Sequence, residues 1–308
     1  MSNPERPVAR PKPKRSALAT LAKRHPIETP GRWLAHYSTA DTVFTHILPS
    51  GELLMNPYKR MRDPVENQDL SIFVTVEQSE TAGYGLAGIA KGRALSKPLN
   101  RIRRAGRITS LVRDAPEAEG GGTFGCCWAR PRVWEQYADE HRGACLVFDR
   151  ERFETAVNAL PADGGVHFYE DVDYTPSGIA DWKPENPQDL EPKTVTEFMF
   201  EHIIKLFFTK TDDWSSEHEY RVLFFPPEPT HDKCFLPYED ALEAIVLGAH
   251  YPDWGLAGAK KLCDSKGIAL LKIGWSHGRP STSPVLLGDS ESSDSPPRRR
   301  PRRVRPSP

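Results

Sequence analysis

The strongest helical signal in the chain runs from Thr194 to Phe208. Val195, Phe198, Met199, His202, Ile203 and Leu206 recur there at the spacing of one buried face, and Glu201 stands four residues before Lys205. Other segments have the alternation or the unbroken apolar run of strands. Trp33 to Tyr37, Leu53 to Met55, Ser71 to Val76 and Val172 to Tyr174 are short strands, and Ala144-Cys145-Leu146-Val147-Phe148 has the composition of an interior one. Ser38-Thr39-Ala40-Asp41 has the form of a capping box with Ser38 as cap. It predicts a helix that buries Val43, Phe44, Ile47 and Leu48 and ends at Gly51. Pro131 suits a first helical turn, and Trp134, Tyr137, Ala138 and His141 then share one face up to Gly143.

Weaker patterns fill the rest. Residues 78–94 read as a helix interrupted by Gly83, Gly85 and Gly88. Residues 101–122, basic and then glycine-rich, read as a mobile loop, and Arg62 to Glu66 as a turn with Asp63 extended before Pro64. Ala244 to Leu247, Leu256 to Asp264 and Ile268 to Ile273 form a strand–helix–strand unit, which predicts two parallel neighbouring strands. The class is α+β: a single domain over residues 31–276 with a mixed β-sheet and packed helices.

Charge is unevenly spread. The net charge of the 308 residues is −1, yet Arg6 to Arg24 is basic and proline-rich, and Arg298-Arg299-Arg300-Pro301-Arg302-Arg303-Val304-Arg305 is denser still. Without apolar periodicity, residues 1–30 and 277–308 read as disordered tails, either solubilising or a hold on nucleic acid. The five cysteines include no Cys-x-x-Cys pair, which argues against a disulfide framework or structural zinc and suits a reducing compartment. No apolar run approaches the ~18 residues of a membrane helix and no signal peptide opens the chain, so a cytoplasmic protein without membrane partners is expected.

The candidate chemistry centres on Glu217-His218-Glu219-Tyr220-Arg221. In a strand, Glu219 and Arg221 share one face and Tyr220 and Val222 the other. A buried carboxylate and guanidinium before Leu223-Phe224-Phe225 have to be paired or used. His36, Tyr37 and Tyr137 are either core side chains or ligand contacts, and Asp63 and Glu66 either turn residues or metal ligands. Gly83-Tyr84-Gly85-Leu86-Ala87-Gly88 fits the dinucleotide glycine pattern but not its strand–turn–helix setting, and is accidental.

Taken in order, these motifs resemble a bacterial family, domain of unknown function 2971. The resemblance rests on His36-Tyr37-Ser38 and on Asp63-Pro64-Val65-Glu66, with Arg62 in place of the family's Asn. Cys126-Cys127-Trp128 stands where the family has Cys-Phe-Ser. Trp134, Tyr137, His141 and Gly143 continue the pattern, followed by Lys210, Trp214, Glu217, Glu219 and Arg221, and by Ile245 to Gly248. A looser resemblance is to the ADP-ribosyltransferase layout. It implies NAD as cofactor, His36 and Tyr37 or Tyr137 as nucleotide contacts, and Glu219 as the stabiliser of a ribosyl cation. Arg221 would hold a phosphate or orient Glu219. The expectation is an NAD-using transferase or glycohydrolase. The alternatives are a non-catalytic ligand sensor or effector in phage defence with nucleic-acid-binding tails, and a metal-dependent nuclease built on Asp63, Glu66 and Glu219.

Overall fold

The computed structural model describes residues 25–72, 86–115, 122–160, 165–179, 191, 194–228 and 233–286. Most of both expected tails, residues 73–76 of one expected strand, and the start of the 78–94 helix with Gly83 and Gly85 lie outside these residues. In chain order the strands are β1 (Trp33–Ser38), β2 (Glu52–Pro57), β3 (Arg107–Arg113), β4 (Ala144–Asp149), β5 (Val166–Asp171), β6 (Asp173–Thr175), β7 (Thr209–Thr211), β8 (Glu219–Phe225), β9 (Cys234–Pro237), β10 (Leu242–Leu247), β11 (Ala269–Ser276) and β12 (Arg279–Pro284). The helices are α1 (Leu48–Ser50), α2 (Pro64–Asn67), α3 (Leu86–Ala105), α4 (Pro131–Tyr137), α5 (Arg150–Asn158), α6 (Val195–Glu201), α7 (Ile203–Phe207) and α8 (Leu256–Ser265).

β4, apolar in five of its six positions and buried in all of them, lies inside the main sheet between β1 and β10. β10, α8 and β11 make the expected parallel crossover unit, and β12 closes that edge antiparallel to β11. The fold is thus α+β with a mixed sheet, ordered β12-β11-β10-β4-β1-β3-β2-β9 with β8 and β5 branching from β3.

The branch matters most. β8 pairs with β3 along Arg107 to Val112. On the opposite edge β3 is shared: β1 pairs at Val112 and Arg113, and β2 at Arg107 and Ile108. Thr109, Ser110 and Leu111 have no strand partner on that edge, so β1 and β2 diverge from one strand and leave a fork.

Three apolar clusters pack the sheet. One contains Leu34, Leu146, Phe148, Tyr220, Val222 and Ile245. On the opposite face of β8 and β3, a second gathers around Trp128, Trp134, Tyr37 and Val112, and a third around Ile108, Leu223, Phe225 and Phe207.

Several local expectations are corrected. Thr39, not Ser38, caps the helical segment that runs through the π-helix Thr42–Ile47 into α1: its Oγ1 accepts from Thr42 N at 3.2 Å, while Ser38 closes β1. The helix from Pro131 stops at Tyr137, because Asp139, Glu140 and His141 all adopt positive φ; His141 still stacks on Trp134. The 194–208 pattern is two helices broken at His202, whose Nδ1 lies 2.9 Å from the Phe198 carbonyl. Residues 107–113 are an interior strand rather than a loop; its charged ends and the Thr109-Ser110 pair break any apolar pattern. The tail boundaries also move. Ile27 is fully buried with its carbonyl bonded to Trp128 Nε1 at 2.8 Å, and residues 279–284 belong to the sheet.

Candidate functional site

Glu219 opens β8 and alternation turns it, with Arg221, away from Tyr220 and Val222. That places both charges on the sheet face between the second and third apolar clusters. Arg221 is completely buried and all its directions are used. Nε and Nη2 donate to the two oxygens of Glu219 at 2.7 and 3.0 Å, and Nη1 donates to Glu66 Oε1 at 2.6 Å and to the Phe207 carbonyl at 2.5 Å. Lys210, on β7, brings a second cation. Its Nζ donates to Glu219 Oε2 at 3.1 Å and to Glu217 Oε2 at 2.9 Å, and lies 4.3 Å from the centre of the Trp214 ring. Glu217 is in the 3₁₀ turn Asp212–Glu217 rather than on the strand, and its Oε1 accepts from Tyr137 Oη at 2.8 Å. Three acids and two bases, four of them close in sequence and Glu66 distant, thus form one buried chain.

Beside this chain the fork opens into a cavity of about 260 Å³. Its walls include His36 and Tyr37 from β1, Asn56 from β2, Thr109 to Leu111 from β3, and Asp63, Glu66, Tyr137, Lys210, Trp214, Glu217 and Glu219. Arg60 and Arg62 stand exposed at the lining. Arg62 donates to the Gln136 carbonyl at 2.8 Å and covers one face of Tyr137 at 4.6 Å, whereas Arg60 has no partner among the described residues. His36 Nδ1 lies 3.2 Å from the Ser110 carbonyl on the unpaired edge of β3. A carbonyl only accepts, so Nδ1 carries the proton and Nε2 of the neutral ring is left as an acceptor.

The electrostatics follow from burial and these partners. Burial alone would raise the Glu219 carboxyl, but Arg221 and then Lys210 outweigh it and hold it down to about 2. Glu66 goes the other way: burial raises it, the adjacent Glu219 adds to that, and Arg221 compensates only in part. Its Oε2 has no hydrogen-bond partner among the described residues. Burial would lower the Arg221 and Lys210 cations, but their carboxylates raise both. Burial keeps the His36 imidazole below its ordinary value, with the Ser110 carbonyl opposing.

Of the residues singled out in the sequence, His36, Tyr37, Tyr137 and Glu219 meet at this cavity. Tyr37 does so with its hydroxyl turned to the Cys127 carbonyl at 2.6 Å and its ring edge-on to Trp134. Arg221 is not in the lining; it lies behind Glu219 with all three nitrogens engaged, so of its two expected roles the orienting one fits. Asp63 and Glu66 also reach the cavity, but Asp63 Oδ1 caps α2 through Val65 N at 2.9 Å and Glu66 pairs with Arg221. Among the described residues no group of three or more His, Cys, Asp or Glu side chains is placed to hold a metal ion. Lys210, Glu217 and Trp214 were visible only as motif positions. Glu66 lies 155 residues from its partner Arg221, and no local pattern announces that pair.

No helix among the described residues is long and apolar enough to cross a membrane. No curated protein and no solved structure matches the chain. The segment from α4 to β8, which carries Tyr137, Lys210, Glu217, Glu219 and Arg221, is where a family relationship is found. Residues 133–222 match the family described as "Protein of unknown function (DUF2971)", the family to which the order of motifs pointed.

Proposed function

We propose that the fork cavity is a nucleotide site for N-glycosidic chemistry on NAD, by transfer or hydrolysis. The observation that supports it is the meeting of His36, Tyr137 and an ionised, immobilised Glu219 around one cavity. A ribosyl cation forms when the bond to nicotinamide breaks. A carboxylate fixed beforehand stabilises that charge without having to reorganise. Arg221 holds both Glu219 oxygens and sets their orientation. His36 Nε2 offers an acceptor to a ribose hydroxyl. The cavity volume lies just under the ~300 Å³ at which drug-sized pockets begin. It suits a ring and a sugar, with phosphates outside beside Arg60.

The test is NAD binding and turnover by wild type beside Glu219→Gln, with circular dichroism melts to confirm that the variant is folded. Turnover lost in a folded variant supports the reading, and wild-type turnover in it removes Glu219 from the mechanism. One observation favours a second reading, a non-catalytic ligand sensor: both Glu219 oxygens already accept from cations, which damps their pull on a developing charge. NAD binding without turnover would support that reading. The basic ends of the sequence are suited to polyanions, and such binding would weaken steeply with salt through counterion release. An effector role against phage would enter through those ends; unchanged DNA binding after deletion of residues 1–24 and 287–308 would remove that part of the proposal.

A further inference from the structure

The buried charges around the cavity do not cancel. Asp63, Glu66, Glu217 and Glu219 are all buried, against Arg103, Lys210 and Arg221. Each cation is engaged: Arg221 with Glu66 and Glu219, Lys210 with Glu217 and Glu219, and Arg103 with the carbonyls of Glu66 and Gln68 and the face of Tyr58. With every group ionised, one negative charge is in excess. Glu66 is where the deficit shows. It is 2% exposed and it lines the cavity. Oε1 accepts from Arg221 and, at 3.4 Å, from Tyr58 Oη, but Oε2 accepts from nothing. A buried carboxylate oxygen without a donor is costly, and it is relieved either by a proton or by a donor that arrives with a ligand.

We infer that the cavity selects a ligand group bearing a positive charge, which docks against the Glu66 side of the wall and supplies the missing donor or cation. This rests on the cavity being a ligand site, as proposed above, and it narrows the ligand. For a nicotinamide nucleotide it means the oxidised form, whose pyridinium ring is cationic, over the neutral reduced form. Arg60, exposed at the lining and without a partner among the described residues, meets the opposite charge of a phosphate. The ligand class is therefore cationic inside and anionic outside.

Burial and the neighbouring Glu219 push the Glu66 carboxyl up, so a proton on it competes with an arriving cation and binding should weaken toward acid pH. The groups that set this titration are Arg221, Glu219, Lys210, Tyr58 and Arg103 around Glu66, with Asp63 on the same wall.

The experiment uses three probes of nearly one shape on the full chain: 1-methylnicotinamide (a cation), nicotinamide (neutral) and nicotinate (an anion). Affinities are measured by titration calorimetry at pH 7 and at lower pH. The cation should bind at least tenfold tighter than the neutral probe at pH 7, and the anion should bind weakest. Glu66→Gln should bring cation and neutral probe within twofold of each other. Equal wild-type affinities, no binding of any probe, or a preference kept intact in Glu66→Gln would overturn the inference. If that variant does not fold, the wild-type ranking and its weakening toward acid pH decide alone. The outcome separates from the catalytic reading: cation preference without NAD turnover leaves this inference standing, and turnover without the preference removes it alone.

Discussion

Replacing Arg221 by Met should be the most damaging single change to this fold, and the damage should depend on pH. Arg221 is fully buried and is the shared partner of Glu66 and Glu219. Removing one member of a buried ion pair costs about 3–5 kcal/mol, because the other charge stays behind unpaired. The structure gives a second route to the magnitude. Glu219 is held at about 2 against an ordinary 4.5, which at about 1.4 kcal/mol per unit is roughly 3 kcal/mol of favourable interaction, most of it from Arg221 and Lys210. The sign follows from linkage. A carboxyl whose folded pKa is depressed contributes stability above its unfolded value and loses it as pH falls toward the folded one. In Arg221→Met the stranded carboxylates are raised instead, so acid relieves them. Urea unfolding at pH 7 should show a loss of about 3–5 kcal/mol with an unchanged slope, and the gap to wild type should narrow steadily by about pH 4. A loss under about 1 kcal/mol, or one that does not change with pH, would mean the network is not the buried ionic cluster described.

Other expectations can be checked with the same tools. Tyr137→Phe removes the hydroxyl donor to Glu217 and should cost about 1–2 kcal/mol in urea unfolding; no loss would mean that bond is not made in solution. Gly248→Ala puts a methyl group onto the His141 carbonyl, and Gly143→Ala onto that of Ser38, so each should lower stability by about 1–3 kcal/mol or more, seen as an earlier thermal melt. The folded His36 pKa lies below 6.5, so its contribution to stability is present above that pH and lost as pH falls through the lowered value. His36→Gln should accordingly flatten the stability profile below pH 6.5, and an unchanged slope would remove His36 from it.

What the sequence disclosed was local in origin. The two-residue alternation at Glu219 and Arg221, the unbroken apolar run of β4 and the β10–α8–β11 unit are written in neighbouring residues. β3 escaped because Ile108-Thr109-Ser110-Leu111-Val112, between Arg107 and Arg113, neither alternates nor forms an unbroken apolar run, although Arg107 is itself buried. The break at His202 was hidden because the residues on both sides keep the helical period. At the site, short-range spacing identified Glu219 and Arg221 as a pair. The third member, Glu66, joins through a contact across 155 residues, and Lys210 through a bend that brings β7 back to β8. The cavity had no signature at all, since it arises from β1 and β2 parting along one edge of β3.

The buried ion chain also bears on how β8 finds its place. Leu223-Phe224-Phe225 would satisfy an apolar layer on either side of the sheet, so hydrophobicity alone leaves the strand free to slip by one residue. Such a slip sends every side chain to the other face. Here it would drive Glu219 and Arg221 into the large cluster around Phe148 and Val222, far from Glu66 and Lys210, with no donors to receive them. The misaligned sheet would carry several kcal/mol of stranded charge. The same groups that shape the cavity therefore act as a register lock, setting the slipped alignment above the native one in energy.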